Sequence, residues 1–169
     1  MKVRIAVAAA LALGVALGTS GCNLIQPQAT TYKYDPSDGI SVNTGDVELR
    51  NLVVISDTGK VGNLIMSTVN TTGEDVDLTI EFVSKDKVVA GNLSVPYSEQ
   101  PVAWGSGKND LIILEGIATE PGAMLEMSFQ SGSGEVKTVL VPVLNSELPE
   151  YAGLNPAAVI KTEVTETKK

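Results

Sequence analysis

Apolar residues in the middle of the chain recur with a period of two. In "VDLTIEFV" (76–83), Val76, Leu78, Ile80 and Phe82 fall on one side and Asp77, Thr79 and Glu81 on the other, as in a strand with one buried and one wetted face. "AMLEMSFQ" (123–130) repeats this, with Ala123, Leu125, Met127 and Phe129 opposite Met124, Glu126 and Ser128. Further runs rich in Val, Ile and Leu are "VELRNLVVIS" (47–56), "GNLIMSTVN" (62–70), "KVVAGNLSV" (87–95), "DLIILEGI" (110–117) and "EVKTVLVPV" (135–143). Clusters of Gly, Asn, Asp and Ser bound them, and links such as "NTTGED", "SKDK" and "SGSG" have hairpin lengths. No stretch inside 40–147 sustains a helical period. The pattern predicts an all-β domain over 40–147, an antiparallel sandwich of about seven strands.

The flanks read differently. Lys2 and Arg4 precede an unbroken apolar stretch from Ile5 to Leu17, and small residues follow at Thr19, Ser20 and Gly21. This layout predicts a signal peptide over 1–21, because a membrane-spanning helix needs about 20 apolar residues. Residues 22–39, ending in "DPSDG", have no sustained periodicity and predict a flexible tether. Residues 148–169 mix proline, glycine and alternating threonine and charge, which predicts a disordered tail.

Charge narrows the partners. The chain carries 12 basic and 20 acidic residues, a net −8. Removal of Lys2 and Arg4 with the signal leaves 10 basic against 20 acidic, or −10. Such a domain is repelled by phosphate backbones and anionic lipid head groups, so nucleic acid is not an expected partner.

Cys22 is the only cysteine, which excludes a disulfide within the chain. The sequence has no histidine, so a catalytic thiolate or serine lacks its usual base, and no Ser-x-x-Lys replaces it. Asp75 with Asp77 reads as a solvated pair of carboxylates, and "GSGEV" and "WGSGKND" lack the spacing of phosphate-cradling loops. The expected protein is not an enzyme and carries no cofactor.

Met-Lys-Val-Arg, the apolar core and Ser20-Gly21-Cys22 resemble the bacterial lipoprotein signal, with Thr19 where a leucine is usual. The resemblance implies cleavage before Cys22 and diacylglycerol on its sulfur, with or without a further acyl chain on its nitrogen. The alternative is an ordinary signal cut nearby that leaves an exposed thiol. Two or three acyl chains hold a protein on a membrane where one does not, so the implied location is the outer face of the cell membrane.

"LIMSTVNTTGEDVDLTIEF" and "DLIILEGIATEPGAMLEMSFQSGSGEVKTVLVPV" resemble strands of periplasmic copper chaperones of the PCuAC type. That implies a Greek-key sandwich of the immunoglobulin or cupredoxin-like kind. The family's His-x-Met ligand positions carry Leu111 and Ile113 here, and neither binds metal. A copper-binding relative would have to use Met66, Met124 and Met127, which otherwise read as core filler. "SDGISVNTGDVELRNLVVISDTGKVGNLIMSTVN" resembles actinobacterial cell-envelope lipoproteins with this sandwich and no copper ligands. The resemblance implies location and fold rather than a reaction; the expected function is a membrane-anchored binding module whose partner is an envelope protein or cell-wall component. Tyr97 and Trp104 flank "PYSEQPVAW", read as a proline-stiffened loop: Trp104 is either a partner anchor or a plug at one end of the sandwich. Arg50, with Glu48 two positions before it, is expected to pair across the sheet.

Overall fold

The structure, a computed structural model, describes residues 2–19, 29–32, 34–106 and 111–156. They form two compact units, divided at Tyr34. The first holds α1 (Lys2–Thr19), in which Val3, Ile5, Val7, Leu11, Leu13 and Val15 are all exposed. Among the described residues no helix is long and apolar enough to cross a membrane.

The second unit is all-β: β1 (Ile40–Thr44), β2 (Val47–Ile55), β3 (Val61–Asn70), β4 (Val76–Ser84), β5 (Lys87–Val95), β6 (Ser98–Trp104), β7 (Ile113–Glu115), β8 (Met124–Ser131) and β9 (Lys137–Leu144). One layer runs β5-β4-β8-β9. The other is β2-β3-β6, with β1 beside the first half of β2 and β7 beside the first part of β3. The chain changes layer between β3 and β4, β5 and β6, and β7 and β8. All seven expected strands are present, although 110–117 shrinks to the three residues of β7. β1 and β6 are additional.

The purely antiparallel arrangement expected from the sequence is not what forms. β2 and β9 meet in a short parallel ladder, Val54 beside Val143 and Ile55 beside Leu144, which curls the two layers into one mixed sheet. The cause lies in β2. Its register slips between Arg50 and Val53, and Asn51 takes a left-handed φ of 54°, which asparagine tolerates. β1 lies along β2 up to Leu52, and beyond the bulge that edge accepts β9. Arg50 donates to Glu48 of its own strand at 2.7 Å, and it reaches across to Asn43 of β1 at 2.6 Å.

The main core lies between the layers, where Leu49, Val54, Leu64, Met66, Leu78, Met127 and Phe129 are fully buried. A second, smaller core sits on the outer face of β2 and β3, where Val53, Ile55 and Ile65 pack against Tyr151 and Leu154. The expectation of disorder from 148 onward therefore fails for residues 148–156. They form a clasp: the Tyr151 hydroxyl donates to Asp38 at 2.8 Å, and the Asn155 amide donates to Asp57. The tether expectation likewise ends early, because Gly39 is buried and its N–H donates to the Asn51 side chain at 3.1 Å. Residues 157–169 lie outside the described residues.

Two titrations report on this clasp. Burial works against the charge of Asp57, but the Ser146 N–H, the Ser146 hydroxyl and the Asn155 amide outweigh it and hold the carboxyl below its usual range. That contribution is present above the unfolded pKa and is lost as pH falls through the folded one. Burial, then the bond and charge of Asp38, push the Tyr151 phenol up to about 12. Its contribution is complete below the unfolded value of about 10 and is lost as pH rises through the folded one. The unfolding free energy is thus expected to fall between pH 10 and 12. Tyr151→Phe should cost about 1 kcal/mol at neutral pH and flatten the alkaline decline. An equal alkaline slope in both proteins, measured by denaturant titration, would contradict the clasp.

Candidate functional site

The edge strand β5 leaves part of the interior open. It pairs with β4 through nine consecutive residue pairs from Val76–Val95 to Ser84–Lys87, without a slip. Val89, Gly91 and Leu93 lie on its inner side, opposite Phe82, Ile80 and Leu78. Among the described residues, Ile112 and β7 line the side across from them in the other layer. The result is an apolar cleft of about 170 Å³ lined by Ile80, Phe82, Val89, Leu93, Ile112 and Leu114, with Asn92 and Glu115 among its polar residues. Its size is near the roughly 150 Å³ that accommodates a benzene-sized apolar group. It supplies shape and apolar contact rather than reactive groups.

A broader depression of about 580 Å³ lies beside the β7–β8 connection and is lined by Lys60, Lys85, Glu115, Gly116, Ala118 and Glu120 among others. Here Ala118 takes a φ of 51°, which an L-residue with a Cβ adopts at a cost on the order of 1 kcal/mol. The conformation is held because Gly116 and Ile117 both donate to the Lys60 carbonyl and Thr119 donates to that of Gly59.

The residues singled out from the sequence do not converge. Met66 and Met127 are buried in the main core, whereas Met124 points to the opposite side of β8 and is 48% exposed. The three sulfurs therefore do not face one ion. Tyr97 and Trp104 are separated by the length of β6, roughly 20 Å at 3.3 Å per residue, so they form no common patch. The loop expected between them is instead a strand. It accommodates Pro101 because β6 is an edge strand and its register slips near there, between the Thr68 and Asn70 pairs. Trp104 is half-buried against the main core and its indole N–H donates to Thr68 at 2.9 Å. Tyr97 is exposed, its N–H donating to Asp75 at 2.9 Å. Asp75 thus serves a turn. Cys22 lies outside the described residues.

No protein-family model matches the chain, and comparison with curated proteins returned no match either.

Three fully buried polar residues that the sequence reading passed over hold these surfaces in place. Asn63 donates to the carbonyls of Gly105 at 2.7 Å and Leu154 at 3.1 Å and accepts from the Ile112 N–H at 3.0 Å. It ties the end of β6, the start of β7 and the clasp to β3. Gly105 must be glycine there: its φ is 70°, and a Cβ would stand 2.1 Å from the Leu64 carbonyl oxygen. Asn70 closes the turn after β3 by donating to Glu74 and Val95 and accepting from Thr72. Thr44 accepts from the Ser131 N–H and so joins β1 to the end of β8. The signal available was an asparagine inside an otherwise apolar run. Among the described residues no three acidic side chains gather as a metal site.

Proposed function

We propose that this protein is a non-enzymatic lipoprotein of the cell envelope, anchored to the outer face of the membrane through acyl chains on Cys22 and presenting an acidic binding module. The observation that carries this reading is the solitary cysteine placed directly after an apolar segment and Thr19-Ser20-Gly21, in a chain without histidine. Such a thiol has neither a partner to bridge nor a base to activate it, so chemistry is done to it rather than by it. The sequence of α1, two basic residues followed by an apolar run, supports the role of its segment as a discarded signal. The module is a Greek-key sandwich of the cupredoxin-like kind, a reading supported by three changes of layer and by the parallel meeting of β2 with β9. Its binding feature is the apolar cleft beside β5, which fits an apolar side chain or short aliphatic group of an envelope protein or cell-wall component.

A specific test is processing. Inhibiting the lipoprotein signal peptidase of a host that expresses the chain should make the unprocessed precursor accumulate, several-fold over untreated cells, on an immunoblot. Unaltered processing would favour an ordinary signal cleavage and an unmodified thiol.

A further inference from the structure

The two edges of the curled sheet are built differently. β6 carries Glu99, Pro101 and a register slip, features that discourage another strand from pairing. β5 has none of them. It is unslipped over nine residues, contains no proline, and has one charge, Lys87, at its start. From Lys87 to Asn92 it is exposed throughout, and Val88 is 67% exposed. Lys85 and Asp86, with φ of 46° and 66°, form a two-residue turn, so Ser84 and Lys87 are its hydrogen-bonded pair. By antiparallel alternation, Val88, Ala90, Asn92 and Ser94 then point their N–H and C=O groups away from β4, toward the free edge.

We propose that β5 pairs antiparallel with β5 of a second copy of this chain about a two-fold axis at Gly91, joining two four-stranded layers into one of eight. The proposal does not depend on the anchor at Cys22. Three observations select a second copy as the occupant. The strand is self-complementary in this register. Ala90 meets Asn92 of the second copy and Val88 meets its Ser94, all four with outward-pointing backbone groups, while Val89 meets Leu93 on the inner side and extends the apolar cleft.

Second, no close packing within the domain requires a glycine at 91 among the described residues: a Cβ there would meet nothing within 4 Å, while glycine weakens a strand by roughly 0.5–1 kcal/mol. Its place at the axis is where two backbones come closest, about 4.5 Å between Cα atoms. Third, charge favours the antiparallel sense. The strand itself is nearly neutral in a chain of net −8, and pairing carries Lys85 and Lys87 of one hairpin tip toward the sheet end that holds Glu74, Asp75 and Asp77 of the other. The two-fold makes this happen twice.

The test is disulfide trapping in the full chain. With Gly91→Cys, two thiols at the axis fall within the Cα separation a disulfide accepts, about 4.4–6.8 Å. With Val88→Cys they are six residues out of register, roughly 20 Å apart. Under mild oxidation, Gly91→Cys should give a disulfide-linked dimer at least tenfold faster than Val88→Cys, with the parent chain, whose only cysteine is Cys22, as background. Adding Ala90→Lys and Asn92→Lys, both at exposed positions, sets like charges opposite each other and should abolish the cross-link. Equal rates for the two cysteine variants, or a Gly91→Cys cross-link that survives the paired lysines, would overturn the proposal.

Discussion

Asn63→Ala is expected to lower the unfolding free energy of the β domain by about 3 kcal/mol, because a buried group left without its partner costs about 1–3 kcal/mol and this side chain serves three. The amide donates to the carbonyls of Gly105 and Leu154 and accepts from the N–H of Ile112, and alanine can do neither. Against a total stability of about 5–15 kcal/mol, this is a large fraction. The loss should be visible as a shift of the denaturation midpoint without a change of slope. Because Asn63 joins β6, β7 and the clasp, amides near Ile112 and Leu154 should also lose exchange protection in the variant. A loss below about 1 kcal/mol would mean that Asn63 is not the joint between these three segments.

That joint shows where sequence pattern stops carrying information. β4 and β8 were legible because each has a face of large apolar residues alternating with polar ones, and burial follows the alternation in both. β2 was legible as a strand, but the unbroken "LVVI" at its end signified more than a strand. Both faces are covered there, one by the main core and one by the clasp. β1 and β6 escaped because "ISVNT" is short and partly polar and "SEQPVAW" contains a proline, which argues for a loop unless the strand is known to lie at an edge. The parallel β2–β9 contact joins residues about ninety positions apart, and no local pattern encodes it. The clasp escaped because two side chains, Tyr151 and Leu154, and a few amide–carbonyl bonds hold it, too few to register as periodicity.

The candidate site divides in the same way. Trp104 and the methionines were named from composition, and the structure places Trp104 half-buried and bonded to Thr68, with Met66 and Met127 in the core. The cleft beside β5 was not legible, since its lining comes from β4, β5 and β7 with Ile112, segments that lie apart in sequence.

The largest functional effect is expected at Cys22. Each acyl chain contributes about 0.8 kcal/mol per buried methylene, and two or three chains make membrane release negligible. Under the proposed function, Cys22→Ala removes the sulfur that accepts the diacylglycerol. The wild-type chain should partition into the detergent phase almost completely. After cleavage of its signal, or after removal of residues 1–21, the variant should appear in the aqueous phase, since what remains is a domain of net −10 with no helix able to cross a membrane among its described residues. Its denaturation midpoint should be unchanged, because Cys22 precedes every strand of the β domain. A variant that stayed in the detergent phase as a processed chain would place the attachment elsewhere.

The most direct measurement is the mass of the N-terminal peptide of the protein isolated from membranes. The expected result is a chain beginning at Cys22 that carries diacylglycerol on its sulfur, with or without a further acyl chain on its nitrogen. A chain that began at any other residue, or at Cys22 with an unmodified thiol, would contradict the anchored-module function.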